Sequence, residues 1–134
     1  MNPIPVDSRA QEIMNQVQEA TSSPKVTIVT DKQGEVLELA VNGPMRKVVD
    51  LSELTYIAKV ISMRYEVAGY HTILDGLQMD VGIFKNVFAL STMIDDDKIL
   101  IVVVPKTTDL LEIIHVGETV KDISTSPLEN LIEK

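Results

Sequence analysis

The sequence predicts a two-layer α+β protein within the broad α/β class, built on a five-stranded, mainly antiparallel sheet. Two segments, residues 8–21 and 51–67, repeat apolar residues at helical spacing. Several short β-branched segments are separated by turn-forming residues, which is typical of antiparallel strands. The run Ile99 to Val104 is apolar without interruption and therefore predicts a strand that is buried on both faces.

The first elements are a helix followed by a hairpin. Ala10, Ile13, Met14 and Val17 share one helical face, and Ser8 with Gln11 forms a capping-box pattern at the start of residues 8–21. Residues 25–30 and 35–41 are rich in strand-forming residues and flank a turn that ends at Gly34. Glycine accommodates the positive φ that such turns often need, so we expect these two strands to pair.

The second helix carries more apolar surface than a single buried face requires. Asp50 with Glu53 marks its start, and residues 51–67 form its body. One apolar stripe consists of Leu54, Ile57, Ala58, Ile61 and Tyr65, and a second, displaced around the axis, consists of Tyr56, Val60, Met63 and Val67. Because a surface helix normally buries one stripe, the second stripe predicts a cover from this chain or from another subunit.

Three strands and a third helix follow. The segment 71–85 gives a weak signal for an edge or bulged strand, interrupted by Gly76 and Gly82. In that interpretation four apolar residues share one face: Leu77, Met79, Val81 and Ile83. Residues 86–94 predict the fourth strand and residues 99–104 the fifth, which Pro105 ends. Thr108 or Asp109 is positioned to cap a helix that includes residues 110–120.

We therefore expect a single domain over residues 1–123, followed by a tail over 124–134 with a possible short helix. The order is helix, two strands, helix, three strands, helix. A length of 134 residues suits one domain with a real core.

Composition excludes several classes of function. The net charge of −8 opposes the phosphate neutralisation that nucleic-acid binding depends on, and it equally opposes attachment to an anionic membrane surface. The longest apolar run is far shorter than the ~20 residues of a membrane helix. The chain has no cysteine, which fits a reducing compartment. We expect a cytoplasmic protein with no membrane insertion and no nucleic-acid partner.

No residue pattern predicts catalysis, a cofactor or a metal. The glycines fit neither common phosphate-binding loop, and two histidines, His71 and His115, are too few for a zinc site. The acidic triplet of residues 95–97 would need further calcium ligands where the chain has Ile99, Ile101 and Lys106. We interpret the triplet as a hairpin turn, because aspartate accepts local amide hydrogen bonds and tolerates unusual backbone angles.

The whole pattern resembles the roadblock family, which includes the dynein light-chain roadblock proteins and the bacterial gliding-motility regulators. Four segments carry the resemblance, in order: KVTIVTDKQGEVLEL (25–39), DLSELTYIAKVISM (50–63), NVFALSTMIDDDKILIVVV (86–104) and TDLLEII (108–114). Longin domains share the profilin-like fold but begin with the hairpin, whereas this chain begins with a capped helix.

The resemblance implies a non-enzymatic scaffold or regulator that binds a small Ras-like GTPase. It also implies a dimer, with itself or with a related roadblock subunit, in which third strands pair and second helices pack together. The implied dimer contacts are Tyr56, Val60, Met63, Val67, Leu77, Met79, Val81 and Ile83. The implied partner contacts on the second helix are Lys59, Arg64 and Glu66. The alternative is a monomeric longin-like or profilin-like module for small-molecule sensing or for assembly of trafficking complexes.

Overall fold

The structure is a computed structural model that describes residues 8–47, 50–69 and 76–120. Its helices are α1 (Ser8–Ala20), α2 (Leu51–Ala68) and α3 (110–120), and a short 3-10 helix spans Gly43–Lys47. Its strands are β1 (Val26–Asp31), β2 (Val36–Val41), β3 (Met79–Ile83), β4 (Val87–Ile94) and β5 (Lys98–Pro105). The predicted order of helices and strands is confirmed, and the 3-10 helix is an addition.

Side-chain hydrogen bonds cap the N-termini of two helices. The Asp50 carboxylate accepts a hydrogen bond from the Ser52 amide at 2.9 Å, which satisfies a free N–H at the start of α2 and lowers the pKa of Asp50. Asp109 accepts from the Leu111 amide at 3.0 Å in the same way at the start of α3. Both starts agree with the sequence prediction.

The five strands form one antiparallel sheet with the order β2-β1-β5-β4-β3. The central strand is β5, which pairs with β1 on one side and with β4 on the other. Leu100, Val102 and Val104 point to one face, and Ile99, Ile101 and Val103 point to the other. The predicted burial of this strand on both faces is therefore confirmed.

Helices cover both faces of the sheet, so the molecule has three layers where the sequence analysis expected two. One core cluster joins the sheet to α1 and α3, through residues such as Ile13, Val17, Ile113 and Val116. The other joins the opposite face to α2. The correction follows from β5 itself, because a strand with apolar residues on both sides needs a cover on each face.

The prediction for the third strand needs one correction. Leu77 precedes β3 and packs against the cluster under α2, whereas Met79 and Val81 pack against the α1 and α3 cluster. These residues therefore do not share one face, because the regular alternation of a strand begins only at Met79. The predicted tail over 124–134, the domain boundary at 123 and His71 lie outside the described residues.

Both predicted turns have the backbone that their residues suit. Gly34 has φ +84°, and Asp95 and Asp96 have φ values of 58° and 63°. Aspartate is one of the few residues besides glycine that enters this left-handed region without a large cost. The acidic triplet is therefore the turn of the β4–β5 hairpin, as predicted.

Candidate functional site

The most exposed apolar surface of α2 lies on the side opposite its buried face. Tyr56, Met63 and Val67 are 71%, 59% and 52% exposed, and we call them the outward ridge. At about 100° per residue they lie roughly half a turn from the buried stripe of Leu54, Ala58, Ile61 and Tyr65. A soluble protein seldom leaves large apolar side chains grouped in water, so the ridge indicates a surface that another molecule covers.

Two ion pairs fix how α2 is rotated over the sheet. On one flank the Arg64 Nη1 donates to the Asp80 Oδ2 of β3 at 2.5 Å. On the other flank the Lys59 Nζ donates to the Glu35 Oε1, beside the β1–β2 turn, at 2.7 Å. The Arg64 flank therefore faces the β3 edge of the sheet, and the Lys59 flank faces away from that edge.

The three predicted partner contacts are not brought together. Glu66 lies exposed on the same flank as Lys59, whereas Arg64 lies on the opposite flank. Lys59 and Arg64 each already bind a carboxylate within the chain, so a partner would share or replace these ion pairs. The sequence placed all three residues on the second helix but gave no signal for how that helix is rotated relative to the sheet.

Strand β3 forms one edge of the sheet, and within the described residues it pairs only with β4. Ile83 is 67% exposed and Phe84, directly after the strand, is 47% exposed. The Phe84 ring lies over Gly82, so that a Cβ at Gly82 would stand 2.6 Å from the ring. The ring thereby covers a gap in the edge strand, and the edge remains both apolar and open.

The predicted dimer contacts differ in how much surface they offer. Tyr56, Met63, Val67 and Ile83 are exposed, and Val60 is half-buried. Leu77, Met79 and Val81 are partly buried against the chain's own core. Phe84 was missed, although its place beside a glycine-containing edge strand is a signal that sequence analysis could have used.

A cleft of about 680 Å³ opens beside α2, on the flank that faces the β1–β2 turn. Its lining combines polar and apolar side chains, including Lys32, Lys59, Ser62, Met63, Leu77 and Met93. Such a mixture suits a small amphipathic molecule.

The acidic turn has a structural partner that the sequence did not reveal. Arg9 in α1 contacts both carboxylate oxygens of Asp95, with its Nε 2.5 Å from Oδ2 and its Nη2 3.4 Å from Oδ1. This forked contact raises the pKa of Arg9 and ties α1 to the β4–β5 turn. Across the described ranges, no three acidic, histidine or cysteine side chains come together as metal ligands would.

Two further polar groups are buried within the fold. The Tyr65 hydroxyl lies 2.9 Å from the Ser91 hydroxyl under α2, and burial raises the pKa of Tyr65 to about 12. The Lys25 ammonium donates to the carbonyl oxygens of Thr21 and Ser23 at 2.9 and 3.2 Å, and burial lowers its pKa.

None of the helices within the described ranges has the length and apolar character needed to cross a membrane. No protein-family model matches the chain, and no curated protein matches it by sequence.

Comparison with solved structures finds close likeness of fold at low sequence identity. "MglB with tetrameric arrangement" superposes with a TM-score of 0.70 at 15% identity, covering 97% of this chain and 98% of that one. Myxococcus xanthus MglB gives a TM-score of 0.70 at 17% identity, with 98% of both chains covered. A Roadblock/LC7 domain from Streptomyces avermitilis gives 0.63 at 14% identity, covering 89% of this chain and 95% of that one. The chain therefore has the roadblock fold that these structures share.

Proposed function

We propose that the protein is a non-enzymatic dimeric scaffold or regulator that binds a small Ras-like GTPase. The outward ridge of α2 is the observation that carries this proposal, because it presents Tyr56, Met63 and Val67 to solvent directly opposite the core. Apolar anchors on a helix are the usual centre of a protein–protein contact. The roadblock fold supports the same assignment by resemblance.

The open β3 edge supports dimer formation with a second copy or with a related roadblock subunit. Among the described residues no strand pairs with the outer edge of β3, and an edge strand with exposed Ile83 and Phe84 beside it is a template for pairing with another strand. One of the similar structures is an MglB with a tetrameric arrangement, which supports the proposed self-association by likeness of fold. In the proposed dimer the β3 edges meet and the second helices pack along the flank that carries Val60. The resemblance implied Tyr56, Met63 and Val67 as dimer contacts too, but they lie half a turn from the buried stripe, so we assign them to the GTPase instead.

The oligomeric state gives the first test. Light scattering of the purified protein at micromolar concentration should report the mass of a dimer. Val60→Asp should shift the protein toward the monomer, because a carboxylate enclosed between two helices loses its hydration. A monomeric wild-type protein with a well-folded circular dichroism spectrum would contradict the dimer.

GTPase binding is tested separately on the outward ridge. Affinity capture followed by mass spectrometry identifies a candidate GTPase, which is then purified and titrated in its GDP-bound and GTP-bound forms. Met63→Glu should weaken that binding at least tenfold, whereas Leu111→Glu, at a 74% exposed residue of α3, should leave it unchanged. Equal affinity of all three proteins would exclude the ridge as the docking surface.

The cleft beside α2 favours the alternative function, a monomeric module that senses a small molecule or assembles a trafficking complex. A volume of about 680 Å³ falls within the range of ligand sites. A monomeric mass together with a reproducible thermal shift from one compound class would support that alternative. A dimer with no thermal shift across a broad library would count against it.

A further inference from the structure

A second row of side chains on α2 faces the β3 edge of the sheet. The row consists of Glu53, Ile57, Val60 and Arg64, and we call it the edge row. At about 100° per residue its members fall within an arc of roughly 60°, about a quarter turn from the buried stripe. The ion pair from Arg64 to Asp80 shows that this quarter turn leads toward β3. Glu53 and Arg64 are exposed, and Ile57 and Val60 are half-buried.

The edge row is complementary to an identical row that runs in the opposite direction. Its members are separated by four, three and four positions, so the same spacing is found from either end. In both directions a charged residue is followed by two apolar residues and then by a charged residue, and the two charges are opposite. Around a two-fold axis between Ile57 and Val60, each Glu53 stands opposite an Arg64 and each Ile57 stands opposite a Val60. A two-fold interface requires this kind of reciprocal match.

We infer that a second copy of this chain packs antiparallel along the edge row, with Glu53 of each copy paired with Arg64 of the partner subunit. The inference rests on the proposed dimer, and it specifies the register and the partner. The reciprocal match favours a second copy of the same chain over a different roadblock subunit. An identical row in the antiparallel direction supplies an opposite charge for each charged residue and an apolar residue for each apolar one.

The intrachain contacts of the edge row are compatible with this pairing. Arg64 uses one nitrogen, Nη1, for Asp80, and a guanidinium has five N–H donors in a planar fork. Arg64 can therefore hold Asp80 of its own chain and Glu53 of the partner subunit at the same time. Asp80 and Gly82 point to the sheet face under α2, so the Phe84 ring over Gly82 adds apolar surface beside the row.

Charge exchange between two variants tests the register. In Glu53→Lys each dimer would contain two Lys–Arg contacts, and in Arg64→Glu it would contain two Glu–Glu contacts. We expect each variant alone to form homodimers on the order of tenfold more weakly than wild type. An equimolar mixture restores both opposite-charge contacts, so native mass spectrometry should show mainly heterodimer, at wild-type affinity. The double variant E53K/R64E should form homodimers again.

The opposite flank of the same helix provides the matched control. Lys59→Glu and Glu66→Lys make the same charge changes on the side that faces the β1–β2 turn, and their mixture should show only statistical exchange. Asp80→Asn removes the intrachain partner of Arg64 without changing the row, so it separates loss of that ion pair from loss of the intersubunit one. Circular dichroism identifies any variant that fails to fold. If one of the single variants fails, the other single variant and the double variant E53K/R64E still test the pairing.

The outcomes distinguish this inference from the proposed function. A monomeric wild-type protein would overturn both the dimer and the register. A dimeric wild-type protein whose two edge-row variants dimerise normally and mix statistically would overturn the register alone. Preferential heterodimers in the Lys59 and Glu66 control would place the contact on the other flank and would likewise overturn it.

Discussion

At the residue scale, Tyr65 connects α2 to the sheet by a buried polar contact. Its hydroxyl lies 2.9 Å from that of Ser91, and both side chains are almost completely enclosed. One hydroxyl donates to the other, so both buried groups take part in a hydrogen bond and neither is left without a partner. The same enclosure opposes ionisation, which explains why the pKa of Tyr65 rises to about 12.

The Tyr65 pKa predicts a loss of stability at alkaline pH. The folded protein keeps the phenol protonated to about pH 12, whereas the unfolded chain releases the proton near the ordinary tyrosine pKa of 10.0. Stability is therefore full below pH 10 and falls between pH 10 and 12, by on the order of 3 kcal/mol. In urea titrations, the stability difference between wild type and Tyr65→Phe should shrink over that window. A constant difference would contradict the assignment.

Lys25 predicts a change in the opposite direction. Burial lowers its folded pKa below the ordinary lysine value of 10.5, so as the pH rises the folded state loses its proton before the unfolded state does. The contribution of Lys25 to stability is thus largest above pH 10.5 and declines as the pH falls through the folded pKa. The stability of wild type relative to Lys25→Met should rise as the pH approaches 10.5. A difference that is flat with pH would show that the ammonium is not desolvated.

At the element scale, the β1–β2 turn packs directly against α2 through Gly34. A Cβ at this position would stand 2.7 Å from the Ser62 Oγ and 2.9 Å from the Lys59 Cα. The backbone at Gly34 also has φ +84°, which side-chain-bearing residues avoid. Both conditions require glycine, and together they set how closely the turn approaches the helix.

Two glycine substitutions separate these conditions. Gly43 also has a positive φ, of +54°, but a Cβ there would meet nothing within 4 Å. Gly34→Ala should therefore cost about 2–4 kcal/mol of unfolding free energy, and Gly43→Ala about 1 kcal/mol. Chemical denaturation measures both. Equal costs would show that backbone strain alone, without contact to α2, accounts for the effect at Gly34.

The helices and strands could be predicted because each has a local cause. Asp50 and Asp109 cap helices, Gly34 permits a turn, and Ile99 to Val104 need no alternation because both faces are covered. The exposed stripe on α2 was also visible in its periodicity. The sequence did not show how α2 is rotated about its axis or which distant residues meet. The ion pairs Arg9–Asp95 and Arg64–Asp80 both join residues that are well separated in the chain. No local pattern encodes such contacts, so the flanks of α2 could not be assigned.

A strand irregularity illustrates the same limit. Val29 pairs with Glu38 but Thr30 pairs with Val36, so Leu37 is an extra residue in β2. This bulge turns Leu37 toward the α1 side, away from the face that carries Leu39. Strict alternation along this strand would place the two leucines on the same face.

At the scale of the whole molecule, two strongly exposed apolar residues lie on different surfaces. Ile83 lies at the open edge of the sheet, and Leu111 lies on α3, with 67% and 74% of their surfaces exposed. Ile83→Lys should leave the folded monomer intact but weaken the proposed dimer at least tenfold, because a lysine on an edge strand opposes strand pairing. Leu111→Lys should leave the dimer unchanged. Sedimentation equilibrium measures both, and equal dissociation constants would remove the β3 edge from the interface.

The central position of β5 also has a consequence for how the protein is made. The strand that joins the two halves of the sheet is the last described strand to leave the ribosome. β1 therefore cannot pair with β5 until about 70 further residues have been synthesised. Until then β1 and β2 form a hairpin without its third strand, and a two-stranded sheet is marginally stable in water. We expect chains that end before Lys98 to be degraded by a protease under conditions in which the full-length chain remains intact. Synthesis is thus the period in which the apolar surfaces of this protein are most vulnerable to aggregation.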